Sequence, residues 1–223
     1  MNYSELNSLD FSIALIKDKR TFSDYYISLI KTNHILLFIF HSKDFNSPIL
    51  KFSIFIFDIS CLITINALFF NDNTMHKIYL DKGSFNFIYQ LPKIIYSSII
   101  SIFLKFIIKL LGLSEKNILK IKKANSTDIK ATENNILKIL NIKFALFNIF
   151  NVIIIIGFWY YITCFCGIYK NTQIHLIKDS LISFRTNLIS PFGIYLIPGI
   201  FRIIGLRKNI KCFYDISKII QIF

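Results

Sequence analysis

The chain of 223 residues is apolar and basic, with 54% hydrophobic residues, only 17% charged residues and a formal net charge of +13. Soluble domains contain about 25% charged residues, so this composition argues against an ordinary soluble domain. The abundant residue types Ile, Phe, Asn, Lys and Tyr have AT-rich codons, however, and a biased genome would also enrich them. The arrangement of the residues therefore carries the prediction, because uncharged apolar residues form long runs between polar stretches.

The segment 1–48 is predicted to be cytoplasmic and to contain one amphipathic helix. The apolar residues that share one face of this helix are Phe22, Tyr26, Leu29 and Ile30. Met1–Lys17 has neither an apolar run nor a small-residue cleavage site, so we expect the first span to act as its own insertion signal. The stretch 25–40 is not predicted to cross the membrane, because polar residues lie at its centre: Lys31, Asn33 and His34.

Four apolar runs predict four membrane-spanning helices. The longest, Phe144 to Tyr169, contains no charged residue, and at about 1.5 Å per residue it exceeds a hydrocarbon core of roughly 30 Å. A soluble, all-helical core is the alternative for each run taken singly. We predict an all-α, polytopic transmembrane bundle, the 49–205 region, with spans at about 49–70, 92–113, 144–167 and 184–205.

Polar residues inside the spans are the material for a functional hypothesis. Asp58 costs roughly 2.5–3.5 kcal/mol at a central position in a membrane helix, so we expect it to pair with Lys105 or Lys109. Other polar residues fall on shared helix faces. On span two these are Ser97, Ser101, Lys105 and Lys109, and on span three they are Asn141, Asn148 and Asn151. Arg185 and Asn187 lie at the start of span four. The candidate functional positions are Asp58, Ser101, Lys105, Asn148 and Arg185.

These faces have two interpretations. If they converge, they could line a polar path for a channel or a transporter. Alternatively, the serines allow close helix approach, the asparagines bond between helices, and the lysines reach the inner surface. Span four also contains Pro191 and Pro198, which predict a kinked or interrupted helix.

The connections between the spans differ in character. The outer connection, Asn71 to Leu91, is predicted to be a loop that packs back on the membrane surface, and His175, Lys178 and Asp179 are expected in the other outer loop. The middle loop, Ser114 to Asn141, predicts a helical hairpin or a partly disordered linker. The tail 206–223 predicts a second amphipathic helix, with Phe213, Ile216, Ile220 and Phe223 on its apolar face.

Both amphipathic helices are expected to lie in the inner membrane interface with their apolar sides toward the lipid. Packing of the two helices against each other in the cytoplasm is the alternative. The orientation of the four spans in the membrane follows from the basic residues. Of the 26 Lys and Arg residues, 20 fall in the N-terminal segment, in the middle loop with its borders, or at the end of the chain. The positive-inside rule then places both termini and the middle loop in the cytoplasm, facing anionic lipids.

No motif supports an enzyme, a cofactor site or a nucleic-acid interface. The chain lacks G-x-S-x-G, a P-loop, G-x-G-x-x-G and H-E-x-x-H, and its lysines lie at membrane borders rather than in a basic–aromatic module. Cys164 and Cys166 lack the second pair that a zinc site requires, and Asp72, His76 and Asp81 are irregularly spaced. We therefore expect no catalytic residue, no metal and no cofactor.

Four stretches carry a resemblance. They are KDKRTFSDYYISLIKTNHILLFIF at 17–40, NALFFNDNTMHKIYLDKGSFNFIYQLPKIIYS at 66–97, FWYYITCFCGIYKNTQIHLIKDSLISF at 158–184 and PFGIYLIPGIFRI at 191–203. Together they resemble the C-terminal multi-span membrane module of large uncharacterised polytopic proteins from single-celled eukaryotes, ciliate-like in composition. Because no activity is attached to that family, the resemblance implies no functional residues. It implies that the chain is the membrane end of a longer protein, with partners or further N-terminal domains.

Two functions from different classes follow from the sequence. The first is a membrane anchor or scaffold for a larger protein or complex. The second is a channel or transporter subunit that uses the polar faces around Asp58 and Ser97–Lys109.

Overall fold

The computed structural model describes residues 3–41, 45–114, 117–119, 121 and 129–221, without the side chains of residues 4 and 129–132. Within these ranges every regular element is helical, which confirms the predicted all-α class. Residues 115, 116, 120 and 122–128 of the predicted middle loop lie outside the described residues.

Short helices precede and follow the long ones. The N-terminal helices are α1 (Tyr3–Asn7), α2 (Phe11–Lys17), α3 (Phe22–Asn33) and α4 (Ile35–Phe40). The central helices are α5 (Pro48–Leu68), α6 (Asp72–Leu80), α7 (Phe87–Gly112) and α8 (Ile129–Ile168). A 3-10 turn at Lys170–Thr172 leads into α9 (Gln173–Ile194), which is followed by α10 (Leu196–Arg207) and α11 (Lys211–Ile220).

Four helical segments are long and apolar enough to cross a membrane, which agrees with the predicted number. Their bounds are Pro48–Leu68, Phe87–Leu119, Glu133–Ile168 and Lys170–Arg207. Over an apolar stretch of 18 residues, 56% of the first segment is buried within the protein, compared with only 17% of the third. We infer that α5 is an internal helix of the bundle and that α8 presents most of its surface outward.

The helices extend further into the connections than the sequence predicts. The prediction of a loop for the first outer connection is wrong over Asp72–Leu80, because α6 forms there and the Asn71 Oδ1 atom accepts a hydrogen bond from the Thr74 N–H (2.9 Å). The predicted loop position of His175 and Asp179 is also wrong, since both lie within α9. An N-terminal Asn cap can begin a helix in a polar segment that lacks a long apolar run.

The predicted interruption of the last span is confirmed. The helix breaks at Tyr195, between α9 and α10. Pro198 has no N–H to donate to the carbonyl four residues earlier, which is that of Ile194, the last residue of α9. The break therefore lies where the backbone hydrogen bond is missing.

Contacts divide the chain into two compact units. The terminal unit consists of Met1–Lys51, Leu113–Leu140 and Leu188–Phe223, and the central unit of Phe52–Gly112 and Asn141–Asn187. The predicted division of the chain by its position relative to the membrane is a separate matter and stays a prediction.

Both predicted amphipathic helices form in the terminal unit, as α3 and α11. Tyr25 and Leu29 of α3 are buried in a cluster with Tyr195, and the Tyr25 hydroxyl donates a hydrogen bond to Gln221 Oε1, just beyond α11 (2.9 Å). Helix α10 packs against both α3 and α11. Part of the apolar face of α3 is therefore used for packing within the protein, and its placement in the membrane interface stays a prediction.

Candidate functional site

Helix α7 carries a row of polar residues at four-residue spacing in the central unit. The predicted members Ser97, Ser101, Lys105 and Lys109 all lie on this helix, and Lys93 extends the row by one more turn. Residues four apart share a helix face, and at 1.5 Å per residue the row from Lys93 to Lys109 is about 24 Å long. This length approaches the thickness of a hydrocarbon core.

At one end of the row, Asp58 on α5 pairs with Lys105. The Lys105 Nζ atom lies 3.4 Å from the Asp58 carboxylate, and the Asp58 side chain is only 3% exposed. The predicted pairing is therefore confirmed. Because an unpaired carboxylate in an apolar interior is very costly, the neighbouring lysine is what makes this position tolerable.

At the other end of the row, Lys93 pairs with Asp179 on α9. The Lys93 Nζ atom lies 2.5 Å from Asp179 Oδ2, and the Asp179 side chain is fully buried. The same ammonium group lies 3.6 Å from the centre of the Phe70 ring. The ring face adds a favourable cation–π interaction to the ion pair.

Between the two ion pairs, one buried asparagine joins three helices. Asn66 on α5 accepts a hydrogen bond from the Ser97 hydroxyl of α7 (2.9 Å), and its amide nitrogen donates to the Ser183 hydroxyl of α9 (3.2 Å). All three residues have no exposed surface. The polar row of α7 therefore contacts the neighbouring helices at three positions along its length. Lys105 contacts α5, Lys93 contacts α9, and Ser97 is joined to both through Asn66.

The remaining candidate positions do not join this set. Ser101 is fully buried on the row, but its hydroxyl has no hydrogen-bond partner among the described residues. Asn148 and Arg185 are both exposed. Asn141, Asn148 and Asn151 lie on one helix but in different environments, because Asn151 is buried whereas the other two are exposed. Three residues along a helix leave an offset of about 60°, which is enough to separate the two environments.

Sequence reasoning missed four members of the set: Lys93, Asn66, Asp179 and Ser183. The signal was present in the spacing, since Lys93 lies four residues before Ser97 and Ser183 lies four residues after Asp179. The sequence predicts a loop at Asp179, and a residue in a loop has no defined helix face. Asn66 lies eight residues after Asp58, which is about two helical turns on the same face.

A second charged cluster lies in the terminal unit. The Arg202 side chain is completely buried and donates to Asp18 Oδ2 (2.8 Å) and to the Leu6 carbonyl (2.7 Å). Its guanidinium also lies over the rings of Tyr25 (4.8 Å) and Tyr214 (4.7 Å). Arginine is suited to such a place, because its planar group combines directed hydrogen bonds with ring stacking.

Asp18 is shared by two arginines in this cluster. Arg20 donates to both oxygens of the Asp18 carboxylate, at 2.7 and 2.8 Å. Burial alone would raise the pKa of Asp18, but the hydrogen bonds and charges of Arg20 and Arg202 outweigh burial and lower this pKa below its usual value of 3.8. The cluster ties the N-terminal segment to α10 by ionised groups.

The central unit also contains an apolar cavity of about 410 Å³ between α5, α8 and α9. Its walls are formed by aliphatic and aromatic side chains, among them Leu62, Trp159 and Leu176. The polar row of α7 contributes no residue to these walls. In the part of the chain that the structure describes, no group of three His, Cys, Asp or Glu side chains is placed to hold a metal ion.

Comparison of the chain with protein-family models, with curated proteins and with solved structures finds no match. Function is therefore inferred from the two ion pairs, the buried asparagine and the cavity.

Proposed function

We propose that this chain is a multi-pass membrane protein whose four spans form an anchoring or scaffolding module of a larger protein or complex. The observation that carries this proposal is that the two buried aspartates of the central unit, Asp58 and Asp179, each have a lysine of the same unit as partner. Charges that neutralise each other between helices hold those helices together and fix their register.

The contacts between the charges support packing rather than passage. Ser97, Asn66 and Ser183 bond directly to one another between the two ion pairs, and none of the three is exposed. An ion path requires polar groups that face water, whereas polar groups that bond to one another act as contacts between helices. The cavity of the central unit is apolar and offers no such path.

The expected partners are the bilayer itself, anionic lipids on the cytoplasmic side, and other proteins or further domains of a longer chain. The basic residues near the predicted inner ends of the spans favour anionic headgroups. The exposed polar side chains of Asn148 and Arg185 are available for contacts with a partner helix. The resemblance to the membrane module of larger polytopic proteins supports the same function.

The alternative is a channel or transporter subunit, and one observation favours it. The row from Lys93 to Lys109 extends about 24 Å along one helix, and buried ionisable residues in membrane helices often belong to ion or proton pathways. In that case the two ion pairs would exchange partners during transport instead of holding the helices.

Electrical recording separates the two functions. For the anchoring function, purified chain in planar bilayers should give no current above that of protein-free bilayers, and Asp58→Asn should behave in the same way. A pore-forming peptide in the same bilayers serves as the positive control. A current that Asp58→Asn abolishes while Arg185→Gln preserves it would overturn the proposal and support the channel.

Anchoring itself has a direct test. A soluble fluorescent protein fused to the tail should remain in the membrane fraction after an alkaline carbonate wash, which removes peripheral proteins. The fluorescent protein alone is the control. Release of the fusion protein by the wash would show that the helices do not span the bilayer and would contradict the proposal.

A further inference from the structure

The turn between α10 and α11 carries three exposed basic side chains. They are Arg207, the last residue of α10, Lys208, which follows it, and Lys211, the first residue of α11. Among the residues that the structure describes, none of the three forms an ion pair with a carboxylate, although Asp215 lies only one helical turn beyond Lys211. The turn therefore presents positive charge that the described part of the protein does not neutralise.

Backbone hydrogen bonds fix the shape of this turn. Asn209 adopts the left-handed conformation, with φ of 55°, and the next N–H, that of Ile210, donates to the Gly205 carbonyl (2.8 Å). The Lys208 N–H donates to the Ile204 carbonyl (2.9 Å). A left-handed residue followed by a bond back over five residues is a common way to end a helix, and asparagine tolerates that position. The backbone at the three basic residues is therefore held in a defined arrangement.

Helix stability accounts for two of the three cations but not for the third. Arg207 and Lys208 lie at the C-terminal end of α10, where the helix dipole favours positive charge. Lys211 begins α11, and the N-terminal end of a helix disfavours a cation. A lysine at this position is favourable only when a negative group lies beside it. The described residues supply no such group, so we look for it outside the chain.

The turn lies at the end of an apolar segment. The fourth segment that is long and apolar enough to cross a membrane ends at Arg207. Beyond the turn, Ile219 of α11 is 60% exposed. Exposed basic and apolar residues on one short helical element are typical of the membrane interface, where cations meet anionic headgroups. In the proposed membrane placement, the headgroup layer is therefore the source of anions next to the turn.

The charges of the turn favour one class of headgroup. Phosphatidylcholine, phosphatidylethanolamine and phosphatidylserine all carry an ammonium group, which three neighbouring cations would repel. A phosphate monoester carries about −1.5 to −2 charges at pH 7 and has no ammonium group. The Arg207 guanidinium can also donate two parallel hydrogen bonds to such a phosphate. A headgroup that ends in a phosphate therefore fits the turn best.

We propose that the α10–α11 turn binds a membrane lipid with a phosphate-monoester headgroup, of the phosphatidic acid class, through Arg207, Lys208 and Lys211. This site rests on the proposed membrane function and specifies one lipid class and one place where it binds. The bound headgroup holds the end of the fourth span at the membrane surface.

Photolabelling of the full chain in phosphatidylcholine vesicles tests the site. Two alkyne-tagged probes with a photoreactive group beside the glycerol are compared, a phosphatidic acid and a phosphatidylcholine. The phosphatidic acid probe should label peptides from 204–220 about fivefold more strongly, which is the effect of one cation beside an anionic headgroup. Unlabelled phosphatidic acid should displace it more effectively than phosphatidylserine does. Equal labelling by the two probes, or equal displacement by phosphatidylserine or soluble glycerol phosphate, would overturn the proposal.

A matched pair of variants separates this site from total charge. The turn variant replaces its three basic residues by glutamine, and the control variant removes three exposed lysines on the predicted outer side, Lys82→Gln, Lys170→Gln and Lys178→Gln. Only the turn variant should lose the preference for phosphatidic acid in peptides from 204–220. Lys211→Arg keeps the cation and should retain the preference. An equal loss in the turn and control variants would overturn the proposal, because total charge would then explain the labelling.

The carbonate wash keeps a failure of the site distinct from a failure of anchoring. The chain should remain in the washed vesicles and show the preference for phosphatidic acid. A chain that remains in the vesicles without this preference would overturn the lipid site and leave anchoring intact. Release of the chain by the wash would overturn anchoring and, with it, the placement of the turn at the headgroups.

Discussion

At the scale of single residues, the charges of this chain are neutralised close to where they lie. Asp58, Asp179 and Asp18 are all buried, and each contacts a basic side chain of its own unit. A buried ion pair is not strongly stabilising compared with apolar residues of the same shape, but the loss of one partner leaves an uncompensated charge. Single substitutions at these positions should therefore be more harmful than paired ones.

Substitutions at Asp58 and Lys105 test whether the loss of one partner of a buried ion pair is more harmful than the exchange of both. Lys105→Met should lower the free energy of unfolding by about 3 kcal/mol, because Asp58 loses the ammonium group that lies 3.4 Å from its carboxylate. The exchanged variant, Asp58→Lys with Lys105→Asp, should recover most of the loss. Reversible unfolding in mixed micelles measures both, with Arg185→Gln as the control for a charge that is exposed. Equal losses in the single and exchanged variants would contradict pairing as the role of these residues.

Asp18 provides a prediction on pH. The folded pKa of Asp18 lies below its usual value of 3.8 because the two arginines outweigh the effect of burial. The carboxylate therefore stabilises the fold above the unfolded pKa, and this stability is lost as the pH falls through the lowered folded pKa. Unfolding measured between about pH 5 and pH 2 should show a stability loss that is smaller in Asp18→Asn. Parallel curves for the two proteins would contradict the prediction.

At the scale of helices, the apolar runs predict where the helices lie but not where they end. The number of spans follows from the long apolar runs, and the break in the last one follows from Pro198, whereas α9 continues through Pro191. The starts of α6 and α7 lie outside the predicted bounds because local caps determine them, and α9 begins early because it continues directly from the 3-10 turn at Lys170–Thr172. For α7, the Asn86 side chain accepts a hydrogen bond from the Tyr89 N–H, so the helix begins five residues before Pro92.

The turn between α10 and α11 depends on Gly205. A Cβ atom at this position would lie 2.8 Å from the Tyr214 backbone nitrogen. Gly205→Ala should therefore lower the free energy of unfolding by about 1–3 kcal/mol, since backbone cannot move aside as a side chain can. Gly193→Ala is a matched control in α9, where a Cβ atom meets nothing within 4 Å. It should be neutral or stabilising by up to about 1 kcal/mol. Thermal unfolding of both variants tests this, and similar effects would contradict it.

At the scale of the whole molecule, the candidate site is only partly readable from the sequence. The row on α7 and the Asp58–Lys105 pair follow from four-residue spacing and from the cost of an isolated charge. The contact of Asn66 with Ser97 and Ser183 depends on which helices are neighbours, and spacing within one helix does not determine that. The exposure of Asn148 and Arg185 depends on the same information.

The central claim is that the chain crosses the membrane four times with both ends in the cytoplasm, and acceptor-site glycosylation tests it most directly. The sequence already contains Asn-x-Ser/Thr acceptors at Asn2 and Asn125, both on the predicted inner side. In cells with a secretory pathway these two sites should remain unmodified, whereas an acceptor inserted after Gly83 should be glycosylated. Glycosylation at Asn125 together with an unmodified site after Gly83 would contradict the orientation.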